Sequence, residues 1–179
     1  MIMKKSIVIL LILLLPSVCF GGWNDRQGNP LPDEPHMKST GTFGAQLVLT
    51  DKEALMLERW NTPSETVYFS STDTIKINEP ITAFIIFSGC GADENGNCNL
   101  IGKYKIYQPD GSVYADLPFQ EIWVNKPVPP NRNLALGVGY IKIVIEPHEQ
   151  LGEYVVEMEV VDNNLKKKLL LETNFTATK

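Results

Sequence analysis

An all-β fold, an antiparallel sandwich with one short helix near its start, follows from three features of the 179-residue sequence. Apolar residues recur with period two through most of the chain after Pro63, the repeat of a strand with one wet face. The connections carry tight-turn chemistry, as in Pro109-Asp110-Gly111 and Asp162-Asn163-Asn164. No long stretch holds a helical period, which leaves sheets to form the core.

Taken in order, the elements begin with Trp23 to about Thr42, rich in Gly, Pro, Asn, Asp and Ser. With few apolar residues to bury, residues 22–42 are expected to form a flexible arm ahead of a single domain spanning 43–179. Gln46 to Leu49 reads as a short strand. Thr50 and Glu53 have capping-box spacing at the start of a short helix that ends near Asn61, before Pro63. Strands are then expected at Thr66 to Ser70, Thr74 to Ile77, Ile81 to Phe87, Leu100 to Tyr107, Val113 to Trp123, Leu134 to Ile145, Tyr154 to Val161 and Leu165 to Phe175. Ile81 to Phe87 is apolar on both parities, as a central strand covered on both faces would be. In Tyr154 to Val161 the glutamates Glu157 and Glu159 alternate with apolar residues, which marks one wet face. The predicted core comprises Ile85, Phe87, Ile106, Ile143, Tyr154, Val156, Met158 and Leu171.

The N-terminus has the order of a secretory signal over residues 1–21: Lys4 and Lys5, an apolar run from Ile7 to Leu15, then Pro16 and small residues up to Gly21. The run is about nine residues where a spanning helix takes about 20. Lipoprotein processing at Cys19 is the alternative, and Val18 stands where a lipobox carries Gly, Ala or Ser. An exported chain, periplasmic or secreted, is therefore expected. Its net charge of −5 becomes more negative once Lys4 and Lys5 leave, which argues against nucleic acid and anionic membrane surfaces as partners. Lys166, Lys167 and Lys168 read as protection of a sheet edge. With Cys19 removed, Cys90 and Cys98 are left as a pair across a Gly- and Asn-rich spacer, and export favours a disulfide over two free thiols.

Gly152-Glu153-Tyr154, at the entry to the penultimate strand, resembles the tyrosine corner of immunoglobulin-like domains. Together with Tyr107-Gln108-Pro109-Asp110-Gly111 it is similar to the macroglobulin-type immunoglobulin-like modules of secreted bacterial proteins. The resemblance covers roughly residues 75 to 177 and implies a fold and not an activity. It departs from the family in lacking an inter-sheet disulfide, because Cys90 and Cys98 lie too close in sequence.

Candidate chemistry is sparse. His36 falls in the arm and His148 in the turn Glu146-Pro147-His148-Glu149, and no nucleophile elbow, zinc-binding His pair or phosphate loop occurs. No catalytic residue, cofactor or metal ligand is assigned, and the chain is expected not to be an enzyme. Asp93, Asn95, Asn97 and Asn99 alternate like the start of a calcium loop, but the glycine and the closing glutamate of an EF-hand are misplaced. Trp60, Tyr107, Tyr114 and Trp123 suggest a sugar-stacking platform as the alternative function.

The primary expectation is a binding or assembly module for an exported or cell-surface protein. Counting strand directions gathers the Cys90–Cys98 loop, the Asn125–Asn133 loop and the Asn163-Asn164 connection at one end, with Asp93, Trp123, Lys126, Arg132 and Asn163 as the candidate partner-binding residues. A true turn at Gly137 to Gly139 would invert every later direction.

Overall fold

A computed structural model describes residues 23–24, 27–62, 70–130 and 133–179. The expected signal segment, the expected strand over 66–69 and Arg132 lie outside the described residues. Two sheets face each other. The first contains β1 (Met37–Thr40), β2 (Phe43–Thr50) and β4 (Pro80–Ser88), with β8 (Ala135–Leu136) and β9 (Ile141–Val144) sharing the far edge of β4. The second runs β3 (Thr74–Lys76), β11 (Lys167–Thr178), β10 (Gly152–Asp162) and β5 (Asn97–Tyr107). On the far edge of β5 lie β6 (Val113–Asp116) and β7 (Gln120–Pro127). Among the described residues only β3 on β11 pairs in parallel.

All eight residues of the predicted core are buried between these sheets. Strict alternation in β5 and β10 puts one parity of each inward, so Tyr154, Val156, Met158 and Val160 line the core face of the second sheet side by side with Leu100, Tyr104 and Ile106, while Glu157 and Glu159 stay outside. Tyr104 is fully buried and donates its hydroxyl to the Ala83 carbonyl at 3.2 Å, a polar tie between the sheets; burial pushes its phenol pKa up. Truncating Met158 or Ile143 to Ala should therefore cost about 2 to 5 kcal/mol in thermal or urea melts. Glu157→Ala and Glu159→Ala should stay within about 0.5 kcal/mol of the parent, and the opposite ranking would mean that the facing of β10 is reversed.

β4 is covered on both faces, as its sequence predicts. Its second cover is α1 (Glu53–Asn61), whose Met56 packs on Val48, Phe84 and Ile86 with Trp23, Leu57 and Trp60 around them. The expected capping box does not form. Thr50 accepts the Lys52 N–H at 3.0 Å, and no side chain caps α1. Glu53 instead turns to the sheet, where Thr82 donates to it at 3.0 Å and the Lys142 ammonium lies 2.7 Å away. The Lys142 ammonium, helped by the Thr82 hydroxyl, holds the Glu53 carboxyl below its ordinary value.

Four further differences have local causes. The expected flexible arm gives way to structure by Met37. There β1 pairs with β2, Asp33 accepts the Ser39 N–H on its outer edge, and Trp23 donates to the Lys38 carbonyl. The expected strand Val113 to Trp123 is broken at Leu117 to Phe119 into β6 and β7. Leu134 to Ile145 is likewise broken into β8 and β9, and both run antiparallel to β4, so the chain does not turn back at Gly137 to Gly139. Instead it bridges the sheets, with Gly137 donating to Ile85 and Val138 to Ile122. A side chain at Gly137 would stand 2.4 Å from Ile85 and 2.7 Å from Ile122, so only glycine allows this approach. Finally, in the β10–β11 hairpin the left-handed residue is Lys166 and not Asn163 or Asn164.

Candidate functional site

Directions relative to β4 and β5 bring the connections 88–97, 127–135 and 162–167 to one end of the sandwich, where the β1–β2 turn at 41–42 also lies. The three connections are joined by hydrogen bonds. Val128 donates to the Gly96 carbonyl at 3.1 Å, and Asn163 donates to Asn99 through its backbone at 3.0 Å and its amide at 2.9 Å. Asn164 donates its amide to the carbonyls of Gly91 and Asn97 at 2.8 and 2.9 Å. Cys90 and Cys98 are disulfide-bonded, with Cα atoms 5.9 Å apart, and both are buried. The carbonyls of a glycine- and asparagine-rich loop would otherwise be free to compete for water, and the bridge holds them where the neighbouring loops can use them.

At the centre of this network is a residue that the sequence reading did not single out. The Asp162 carboxylate is fully buried and faces the backbone: it accepts Gly91 N–H at 2.7 Å through one oxygen and Asn164 and Leu165 N–H, each at 3.0 Å, through the other. Its sequence signal is only an Asp ahead of two Asn in a hairpin, which reads as ordinary turn chemistry.

Of the predicted partner-binding residues, Asp93 is exposed but committed to its own loop, accepting the Asn95 and Asn97 N–H groups at 2.8 Å each. Asn99, the last of the calcium-like series, gives its side-chain oxygen to Asn163. Lys126 lies with its ammonium 4.8 Å from the Trp123 ring centroid, and the indole N–H goes to the Pro127 carbonyl at 3.0 Å. Phe87 meets the same indole in an edge contact at 5.5 Å.

Beside these loops lies an open groove of about 670 Å³. The last turn of α1 supplies Leu57 and Trp60, β7 supplies Trp123, and the proline-rich 127–130 segment forms one rim. Leu134, Val138 and Tyr140 complete it, and all three are among the exposed large apolar residues of the chain. The four candidate sugar-stacking aromatics thus separate into three places. Trp60 and Trp123 meet in the groove, whereas Tyr107 bonds Glu157 on the outside of the second sheet and Tyr114 packs edge-on against Tyr154 at the opposite end. Burial, with Glu149 nearby, pushes the Tyr114 phenol up to about 12.

That opposite end holds the β5–β6 hairpin and the 146–150 turn. Ser112, first, and Gln150 donate to Asp110 and hold its carboxyl down at about 2. His148 faces Glu146 at 3.4 Å, and His36 faces Glu34 at 3.6 Å on the first sheet's edge. Among the described residues no group of three or more His, Cys, Asp or Glu could hold a metal ion, and no helix is long and apolar enough to cross a membrane.

No protein-family model matches the chain, and no curated protein does. Solved structures similar to it include a family 123 glycoside hydrolase from Clostridium perfringens, at 11% identity and TM-score 0.40 over 75% of this chain and 27% of that one. The CARDB domain of a Pyrococcus furiosus protein, solved with two metal ions, matches at 11% identity and TM-score 0.35 over 60% of this chain and 81% of its own. A Niemann-Pick type C2 protein from the Japanese carpenter ant matches at 8% identity and TM-score 0.40 over 74% and 89%. The chain thus spans under a third of the hydrolase. A two-sheet β-sandwich is what its own strand pairing defines.

Proposed function

We propose that this chain is an exported, non-enzymatic immunoglobulin-like module that binds another exported or cell-surface protein through the end where the three loops meet. The observation that carries the reading is the mutual bonding of those loops beside an apolar groove: a pre-organised surface loses little freedom when a partner immobilises it. The immunoglobulin-like assignment is supported by the order β2-β4-β8/β9 against β11-β10-β5-β7/β6 and by the Tyr154 hydroxyl, which donates to the Gln150 carbonyl at 2.8 Å as a tyrosine corner does. Export is supported by the bonded cysteines and by the charge and hydropathy order of residues 1–21.

The test pairs function with processing. Lys126→Ala, Arg132→Ala and Asn163→Ala should each lower capture of the partner from the exported fraction, while Asp110→Ala and His148→Ala at the opposite end should leave it intact. Losses of equal size at both ends would remove the proposed site. Mass measurement of the exported chain should find it to begin at Gly22; retention of Lys4, or a lipid on Cys19, would refute the cleavage. Carbohydrate binding is the second reading, favoured by the meeting of Trp60 and Trp123 in one groove.

A further inference from the structure

We infer that the groove seats an apolar stretch of the partner protein that carries a carboxylate, and that Lys126 is the group that meets this carboxylate; the inference rests on the protein-binding reading above. Three observations narrow the occupant. First, the described lining carries no charged side chain and few open polar groups. The Asn61 amide is already given to the Leu57 carbonyl at 2.8 Å and the Trp123 N–H to Pro127 at 3.0 Å. A sugar seated there would leave hydroxyls without partners, at a cost that stacking alone has to offset, and the Lys126 ammonium already lies over the Trp123 ring. Second, the groove is open, bounded by α1, the 127–130 segment and the 134–140 strand edge, so it suits side chains from a chain that continues past both ends. A small apolar ligand wants a cleft that buries most of its surface.

Third, the cation nearest the groove is not neutralised by an ion pair. Lys76, Lys126, Lys166 and Lys167 have no carboxylate ion pair among the described residues, and of these Lys126 is the one whose ammonium lies over a ring that lines the groove, 4.8 Å from the Trp123 centroid. In a chain of net charge −5, an unpaired ammonium resting on the ring that lines an apolar groove selects for an acidic group beside the apolar anchors and against a basic one. An aromatic face holds the ammonium in place without neutralising it.

The test uses the whole exported protein and capped twelve-residue peptides of alternating leucine and serine with one central glutamate, followed by tryptophan fluorescence. The glutamate peptide should shift the fluorescence and bind about tenfold more tightly than its lysine counterpart, a margin that shrinks with added salt. A version with every leucine replaced by serine should not bind. Lys126→Glu, with an unchanged thermal midpoint, should invert the glutamate-over-lysine preference, and Val138→Ser should weaken both peptides. Equal binding of the two charged peptides, no inversion in Lys126→Glu, or a fluorescence response to cellohexaose or dodecanoate but to no peptide would overturn the inference. If no peptide binds while Asn163→Ala still loses partner capture, the groove assignment falls and the loop-end reading stands; if capture survives in every loop-end variant, both fall.

Discussion

Gly89→Ala is expected to destabilise the protein by at least about 3 kcal/mol, enough to lower its melting midpoint by well over ten degrees if the domain is of ordinary stability. Gly89 closes β4 with a φ of +69°, and a Cβ there would stand 1.8 Å from the Thr42 carbonyl oxygen and 2.8 Å from its carbon. Thr42 belongs to the turn between β1 and β2, and β2 is bonded to β4 from Gly44↔Ser88 onward, so neither backbone can withdraw without breaking a ladder. The control is built into the chain. Gly96 and Gly111 have φ of +80° and +81° with nothing within 4 Å of an added Cβ, so alanine there adds only the left-handed penalty, roughly 1 to 2 kcal/mol. Urea melts of the three variants separate clash from conformation, and a Gly89→Ala midpoint equal to that of Gly111→Ala would show that the turn moves aside freely.

The sandwich and its core facing were legible because they rest on period two, which survives wherever a strand has one buried face; β5 and β10 could hardly be read otherwise. Two-sided burial of β4 was legible for the complementary reason. What covers its second face was less so, since nothing in Glu53 to Asn61 says that Met56 lands on Phe84 and Ile86. Sequence spacing misled where tertiary partners outbid local ones. Glu53 sits three residues after Thr50 as a capping box requires, yet an ammonium and a hydroxyl on the sheet are better partners for its carboxylate than a backbone N–H at a solvated helix start. Composition misled in the same way at Met37 to Thr40: four residues with little apolar surface still order when one neighbouring strand supplies their backbone bonds and Asp33 seals the other side.

The candidate site was half legible. Strand parity alone placed three loops at one end, and Trp123, Lys126 and Asn163 were chosen from them. The groove was not, because Trp60, Trp123 and Tyr140 come from a helix, a strand and the break between two strands, distant in sequence and brought together only by the bridging of Gly137 and Val138 across the sheets.

Asp162→Ala is the second variant with a large expected effect, about 3 kcal/mol or more, because it removes one acceptor from three N–H donors at once and each donor left unpaired out of water costs about 1 to 3 kcal/mol. Asp162→Asn keeps the shape but turns an amide N–H2 toward donors on one side or the other, so an intermediate loss is expected. The effect should not stop at stability. Gly91, anchored by Asp162, follows Cys90 directly, and both cysteines are buried, so a reductant can reach the disulfide only when the 90–98 loop opens. Native Cys90–Cys98 should resist dithiothreitol under conditions where Asp162→Ala is reduced at least about tenfold faster, since each 1.36 kcal/mol taken from the opening cost is a factor of ten in rate. The closed loop is short, so the reduced parent should remain folded, having lost only about 2 to 3 kcal/mol. Loosening would then travel through the Val128 N–H to Gly96 carbonyl bond and the adjoining Asn97↔Pro127 pairing into the groove's proline rim, and peptide binding in Asp162→Ala should fall further than its residual folded fraction accounts for. An Asp162→Ala protein that melts with the parent and keeps its disulfide equally well would mean that water satisfies those three donors, and that the loops are tied by their asparagines alone.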